Sequence, residues 1–167
     1  MAGLQFNQGD WIVHARHGVG QIKRIDRKKF HGSNQQCYRV KTFDLIYWLP
    51  VERSDVDYIR PIASKHVFRK AITALGKKPV KMDDNHTIRD KKILETLNSG
   101  SIVKLAELIR DLNYRETIEK LNVLAKDTLV EVKQRFLDEW IIATGIDRQD
   151  AEQRLDNALE RSVNRVK

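Results

Sequence analysis

The spacing of apolar and polar residues changes near residue 62 of this chain, from a period of two to a period near 3.6, and two architectures follow. Trp11-Ile12-Val13-His14 is a β-rich run that stops at the turn-like His17-Gly18-Val19-Gly20, where glycine tolerates positive φ. Gln21 to Phe30 forms a second run. Its imperfect alternation over Gln21–Ile25 predicts a bulge, and His31-Gly32-Ser33-Asn34 then turns the chain. Cys37 to Phe43 alternates well, with Tyr38, Val40 and Thr42 pointing one way and Cys37, Arg39 and Lys41 the other. Leu45 to Leu49 stops at Pro50, and a short last strand is expected over Asp57 to Arg60. Five short strands with brief connections predict a small SH3- or Tudor-like β-barrel.

Beyond Pro61 the helical period takes over. Ser64 can cap a helix carrying Val67, Phe68, Ala71, Ile72 and Leu75, with Gly76 as its stop. Lys77-Lys78-Pro79-Val80-Lys81-Met82 is a basic connection. A second helix, opened by Asp84 or Asn85 and ended by Gly100, holds Ile88, Ile93, Leu94 and Leu97. Ser101 caps a third, with Ile102, Leu105, Ala106, Leu108, Ile109 and Leu112 on one broad face. The fourth runs from about Asn122 to Thr144 with Leu124, Leu129, Val132, Phe136, Trp140 and Ile141, before Gly145. Asp147 caps a fifth that carries Ala151, Leu155, Ala158, Leu159 and Val163. The expected fold is α+β. A five-stranded β-barrel over residues 1–62 precedes an all-helical domain of about five helices over 64–167, with the boundary near Ile62–Ser64.

Charge sharpens this division. The chain of 167 residues carries a net +8, which favours a polyanionic partner. Residues 1–63 hold 10 Lys/Arg against 6 Asp/Glu, residues 64–104 hold 10 against 4, and residues 105–167 hold 11 against 13. The excess is densest at the start of the helical half, where phosphate contacts are expected. No apolar run is long enough to cross a bilayer. Met1–Asn7 lacks a basic stretch followed by an apolar one, and Cys37 is the single cysteine, so a cytoplasmic location is expected.

Candidate chemistry is sparse. No phosphate-binding glycine loop, zinc-protease motif or nucleophile elbow is present, so no enzymatic activity and no cofactor are expected. His14 and His17 form an H-x2-H pair, but no second pair completes a tetrahedral metal set. Cys37 reads as a buried or half-buried thiol, and Trp140 lies at core spacing in its helix. Two features stand out. In Leu45-Ile46-Tyr47-Trp48-Leu49 both strand faces are apolar, so Tyr47 or Trp48 should meet something outside the barrel: the helical domain or a protein partner. Lys77, Lys78, Lys81, Arg89, Lys91 and Lys92 spread over a loop and the following helix start, as either a solvated face or an anion contact.

These residues also carry a resemblance. Phe6-Asn7-Gln8-Gly9-Asp10-Trp11-Ile12-Val13-His14-Ala15-Arg16-His17-Gly18-Val19-Gly20-Gln21-Ile22 resembles the opening of the bacterial CarD/CdnL proteins and of the RNA-polymerase-interacting domain of transcription-repair coupling factors. The pattern continues through Gly32, Tyr38, Leu49-Pro50-Val51 and Ile59-Arg60. Leu97-Asn98-Ser99-Gly100-Ser101, then Glu107 to Leu112, and Thr144-Gly145-Ile146-Asp147 are similar to the CarD/CdnL C-terminal domain. Nearly the whole chain is covered, with both halves in the right order.

The resemblance implies a monomeric transcription regulator. Its Tudor-like domain would dock on the RNA polymerase β subunit, and its helical domain would touch promoter DNA, through phosphates and the minor groove, at the upstream edge of the bubble. Such a protein stabilises the open complex with little sequence specificity and associates with the nucleoid through polymerase. Backbone charge would supply affinity and tethering would supply location. Carried over by position, polymerase contacts fall near Lys28 and Lys29 and on Trp48, the last where relatives can carry arginine, and Tyr47 beside it on the two-faced apolar strand is the remaining candidate contact. DNA contacts fall on Lys81, His86, Arg89, Lys91 and Lys92. His86 stands where relatives insert a tryptophan wedge into the minor groove. The alternative is a protein-interaction module that binds polymerase or another partner, its helices serving as scaffold without a DNA wedge.

Overall fold

The change of period becomes a change of architecture in the computed structural model, which describes residues 5–53 and 59–167. Contacts divide the chain into two units between Ile62 and Ala63. The first contains β1 (Trp11–His14), β2 (Gly18–Phe30), β3 (Ser33–Lys41), β4 (Ile46–Pro50) and β5 (Ile59–Pro61), with a 3-10 turn over Val51–Arg53. All pairings are antiparallel, in the order β4-β3-β2-β1-β5. The expected barrel is thus a five-stranded antiparallel sheet in which no ladder joins β4 to β5 among the described residues.

The core of the sheet unit is Phe6, Ile12, Ile22, Tyr38, Val40 and Ile59, with Tyr47, Leu49 and Val51 packed against it. The expected bulge is present: the β2–β3 register slips between Ile22 and Arg24. A Cβ on Gly20 would lie 2.6 Å from Val40 Cγ1, so only glycine lets these strands approach.

β3 starts four residues before the expected Cys37. His31 at φ 45° and Gly32 at φ 89° form a two-residue turn whose paired positive φ values match the twist of a hairpin. That turn carries the ladder out to Phe30 opposite Ser33. The ribbon's outer end is polar and solvated, so it leaves no apolar period in the sequence. Of the fifth strand, Ile59–Pro61 is observed, while Asp57 and Tyr58 lie outside the described residues.

The second unit contains α1 (Lys65–Leu75), α2 (His86–Asn98), α3 (Ile102–Ile118), α4 (Val123–Thr144) and α5 (Arg148–Asn164). Ser64, Asn85, Ser101, Asn122 and Asp147 cap their N-termini through side-chain oxygens, each taking up an amide that the helix cannot satisfy. Phe68, Leu75, Ile109, Leu112, Val132, Phe136, Trp140 and Leu155 anchor one shared core. Trp140 meets the Phe136 ring edge-on at 5.8 Å between centroids, in the packing role its spacing predicts.

Three of the apolar residues at helical spacing stay outside the core. Ile88 and Leu94 on α2 and Leu124 on α4 are exposed at 52%, 59% and 69%. Only Ile93 and Leu97 of α2 pack on the core, because that helix buries no residue fully and leans on α3.

Candidate functional site

Two surfaces were expected to carry function, and the geometry treats them differently. On the sheet, neighbours along a strand face opposite sides. Arg39 pairs with Trp48 across β3 and β4, and Lys28 pairs with Gln35 across β2 and β3, so Lys28, Arg39 and Trp48 share a face. Lys28 Nζ lies 3.6 Å above the Trp48 ring centroid and Arg39 Cζ 6.0 Å from it. A cation over an indole gains about 0.5–2 kcal/mol, more as water is excluded. Lys29 and Tyr47 lie on the opposite face. The structure therefore brings together Lys28 and Trp48 and adds Arg39, which the sequence did not single out. A strand alternating about Val40 could have pointed to Arg39.

Cys37 faces the same side and is buried. Burial pushes its thiol pKa up, against the pull of Lys28. Near this face Phe43, Leu45 and Ile46 are exposed at 57%, 42% and 40% around the end of β4. Trp48 Nε1 is buried without an acceptor among the described residues.

Tyr47 points into the sheet unit instead, where the rings of His14 and His17 lie 5.5 and 4.6 Å from its own. His14 Nδ1 accepts from the backbone N–H of Arg16 at 3.0 Å. Among the described residues no three His, Cys, Asp or Glu side chains converge as a metal site would require. The Tyr47 hydroxyl has no hydrogen-bond partner among the described residues, and burial raises its pKa from 10.0 to about 12. A raised folded-state pKa means that the neutral phenol is favoured by folding. That stability is complete below pH 10.0 and is lost as pH rises towards about 12. Thermal melting of the protein at several alkaline pH values should show this loss, and Tyr47→Phe should remove that part of it. Identical alkaline profiles for the two proteins would contradict the assignment.

On the helical unit the expected DNA residues do not form one face. Lys81 Nζ donates to Asp84 Oδ2 at 3.2 Å and holds that carboxyl below the usual carboxylate range. Arg89 is turned back on its own loop: Nη1 donates to the carbonyls of Asp83 and Asp84 at 2.9 and 2.7 Å. Buried Arg115 of α3 donates to the carbonyls of Met82 and Asp83 at 3.4 Å each and pairs with Glu119. Two guanidinium groups thus pin residues 82–84. His86 is exposed in the first turn of α2, with Thr87 Oγ1 3.4 Å from its Nδ1. Lys91 stands 3.9 Å from Glu95, and Glu95 in turn lines a shallow pocket with Lys92, Lys104 and Glu107. An open groove between α2, the end of α3 and the start of α4 is lined by Leu94, Leu97, Leu121 and Leu124, with His86 and Arg89 beside it.

The basic connection is built into the fold. Val80 N–H donates to Asp111 Oδ1 at 2.9 Å, and Asp111 accepts from Arg110 Nε at 2.8 Å. Ser162 Oγ donates to the Lys77 carbonyl at 2.6 Å. Lys77, Lys78 and Lys81 remain exposed above these anchors. The described residues contain no helix long and apolar enough to cross a membrane.

Residues 6–63 match the family described as the CarD-like/TRCF RID domain, and residues 70–156 match the C-terminal domain of CarD. Among curated proteins, the "Putative transcription factor YdeB" of Bacillus subtilis (strain 168) is 27% identical over 147 residues, covering 84% of this chain and 94% of the relative.

Proposed function

This chain belongs to the CarD family, and from that premise we propose that it is a transcription regulator bound to RNA polymerase. Its sheet unit docks on the polymerase β subunit, and its helical unit contacts promoter DNA at the upstream edge of the bubble. Together they stabilise the open complex, with little preference for base sequence. The observation that carries this is the platform of Lys28, Arg39 and Trp48, where two expected polymerase contacts meet on one face. Trp48 gives that docking an apolar centre in place of a purely charged one, and desolvated aromatic anchors dominate protein interfaces. Of the other two expected contacts, Lys29 lies on the opposite face and Tyr47 packs into the sheet unit, so neither meets a partner docked on this platform. Lys81, Arg89, Lys91 and Lys92 give the DNA contact its charge, with His86 at the edge of the minor groove.

Catalysis has no place in this scheme, and the protein works without a cofactor, in the cytoplasm, as a monomer. The engagement of Lys81 and Arg89 with their own loop favours a second reading, in which α2 is scaffold and the sheet unit does the binding.

His86 separates the two. An indole covers more of an unstacked base step than an imidazole does. His86→Trp should therefore lengthen the lifetime of the open complex formed with polymerase, and His86→Ala should shorten it modestly. The decisive contrary result is one lifetime shared by wild type and both variants, which would select the scaffold.

A further inference from the structure

We propose that the helical unit holds a second contact for the backbone of duplex DNA, away from α2, in a positive track along α1, the α1–α2 connection and the end of α5. The track rests on the proposed binding of DNA by this unit and says where the phosphates lie.

α1 contains no acidic residue, and its apolar side, Phe68, Ala71, Ala74 and Leu75, is buried. Lys65, Arg69 and Lys70 fall on the opposite, exposed arc, since residues one turn apart stack on one face. Lys77 and Lys78 extend the arc past the helix end. Arg165, just beyond α5, donates from Nε to the Gly76 carbonyl at 2.7 Å, which seats its charge at the negative end of the α1 dipole and beside Lys77. With Ser162 holding the Lys77 carbonyl, the C-terminal segment and the connection form one fixed surface. Arg161, four residues before Arg165, continues it on the same flank of α5.

Pairing distinguishes this surface from α2. Among the described residues none of Lys65, Arg69, Lys70, Lys77 or Lys78 forms an ion pair, whereas Lys81 and Lys91 each have a carboxylate partner. Unpaired cations release counterions from DNA without first giving up a protein partner. The face exposes the small imidazole of His66 but no Phe, Tyr or Trp ring for stacking single-stranded bases and no apolar stripe for entering a bilayer, because Phe68 is in the core. A duplex backbone is the polyanion it fits.

The test is binding of the full chain to an unrelated duplex, by fluorescence anisotropy, between about 50 and about 200 mM salt. Arg69→Gln/Lys70→Gln/Lys77→Gln exchanges exposed residues for one of similar helix propensity, so the fold is retained. Its affinity should fall at least about tenfold at the lower salt. The slope of log affinity against log salt should drop by about three, one for each phosphate no longer neutralised. Lys23→Gln/Lys41→Gln/Lys126→Gln, with the same net charge, should keep most of the slope. Equal losses in both triple variants would reduce the track to net charge and overturn it. An unchanged slope in the α1 variant, with a loss in Lys91→Gln/Lys92→Gln, would move the backbone to α2 and overturn the track while leaving DNA binding intact. If wild type binds no duplex but binds phosphatidylglycerol vesicles, or binds neither, the proposed DNA role fails and the track with it.

Discussion

Trp48→Ala combined with Lys28→Glu should nearly abolish capture of the RNA polymerase β subunit. Trp48 presents its ring to Lys28 and Arg39 on one face of the sheet, so the double variant removes the apolar anchor and reverses a charge at the same spot. Truncating an interface hot spot costs about 2 kcal/mol or more, roughly thirtyfold in affinity for each such residue. Both side chains lie on the face opposite the Tyr38–Val40 core, and the double variant should keep its fold. Lys29→Glu, on the other side of β2, should have a much smaller effect. Titration of purified β subunit with the three proteins, alongside a thermal melt, measures both points. A double variant that is folded and still binds with wild-type affinity would remove the platform from the interface.

The second large effect is on stability. Asp111→Ala should destabilise the helical unit by about 3–5 kcal/mol, because it strands a buried Arg110 charge and leaves the Val80 amide without its acceptor. The side chains of Arg110 and Asp111 are 7% and 5% exposed, so water cannot replace what is lost. Domains of this size hold about 5–15 kcal/mol in all, and the variant should unfold at a far lower urea concentration. Asp111→Asn keeps an oxygen for Val80 and loses only the charge, so its midpoint should fall between the two. Equal midpoints for wild type and Asp111→Ala would show that the pair carries no structural weight.

The helical unit was the more legible half, since each of its five helices begins with a capping side chain that the sequence displays: Ser64, Asn85, Ser101, Asn122 and Asp147. The β2–β3 ribbon was less so. Its stability comes from backbone pairing set by the His31–Gly32 turn, and polar side chains along it carry no periodic signal. Ile88, Leu94 and Leu124 fall at helical spacing, which by itself cannot tell whether a partner helix lies opposite. The same limit applied to charge. Lys81 and Arg89 count as cations in the sequence, but only the fold reveals that they are engaged with Asp84 and with loop carbonyls. Period two already implied that Lys28 and Lys29, or Tyr47 and Trp48, could not share a face. Which member of each pair looks outward needed the register.

The way α2 is held has a consequence in time. It buries no side chain fully, and its start is fastened by two guanidinium groups gripping three carbonyls. An element with so little buried area opens at a small fraction of the free energy that unfolds the bundle around it. Amide hydrogens of residues 86–98 are therefore expected to exchange by local opening well ahead of those of α1, α3, α4 and α5, while Arg115 keeps hold of the preceding loop. Whatever His86 meets is sampled at that local rate, without the core having to yield.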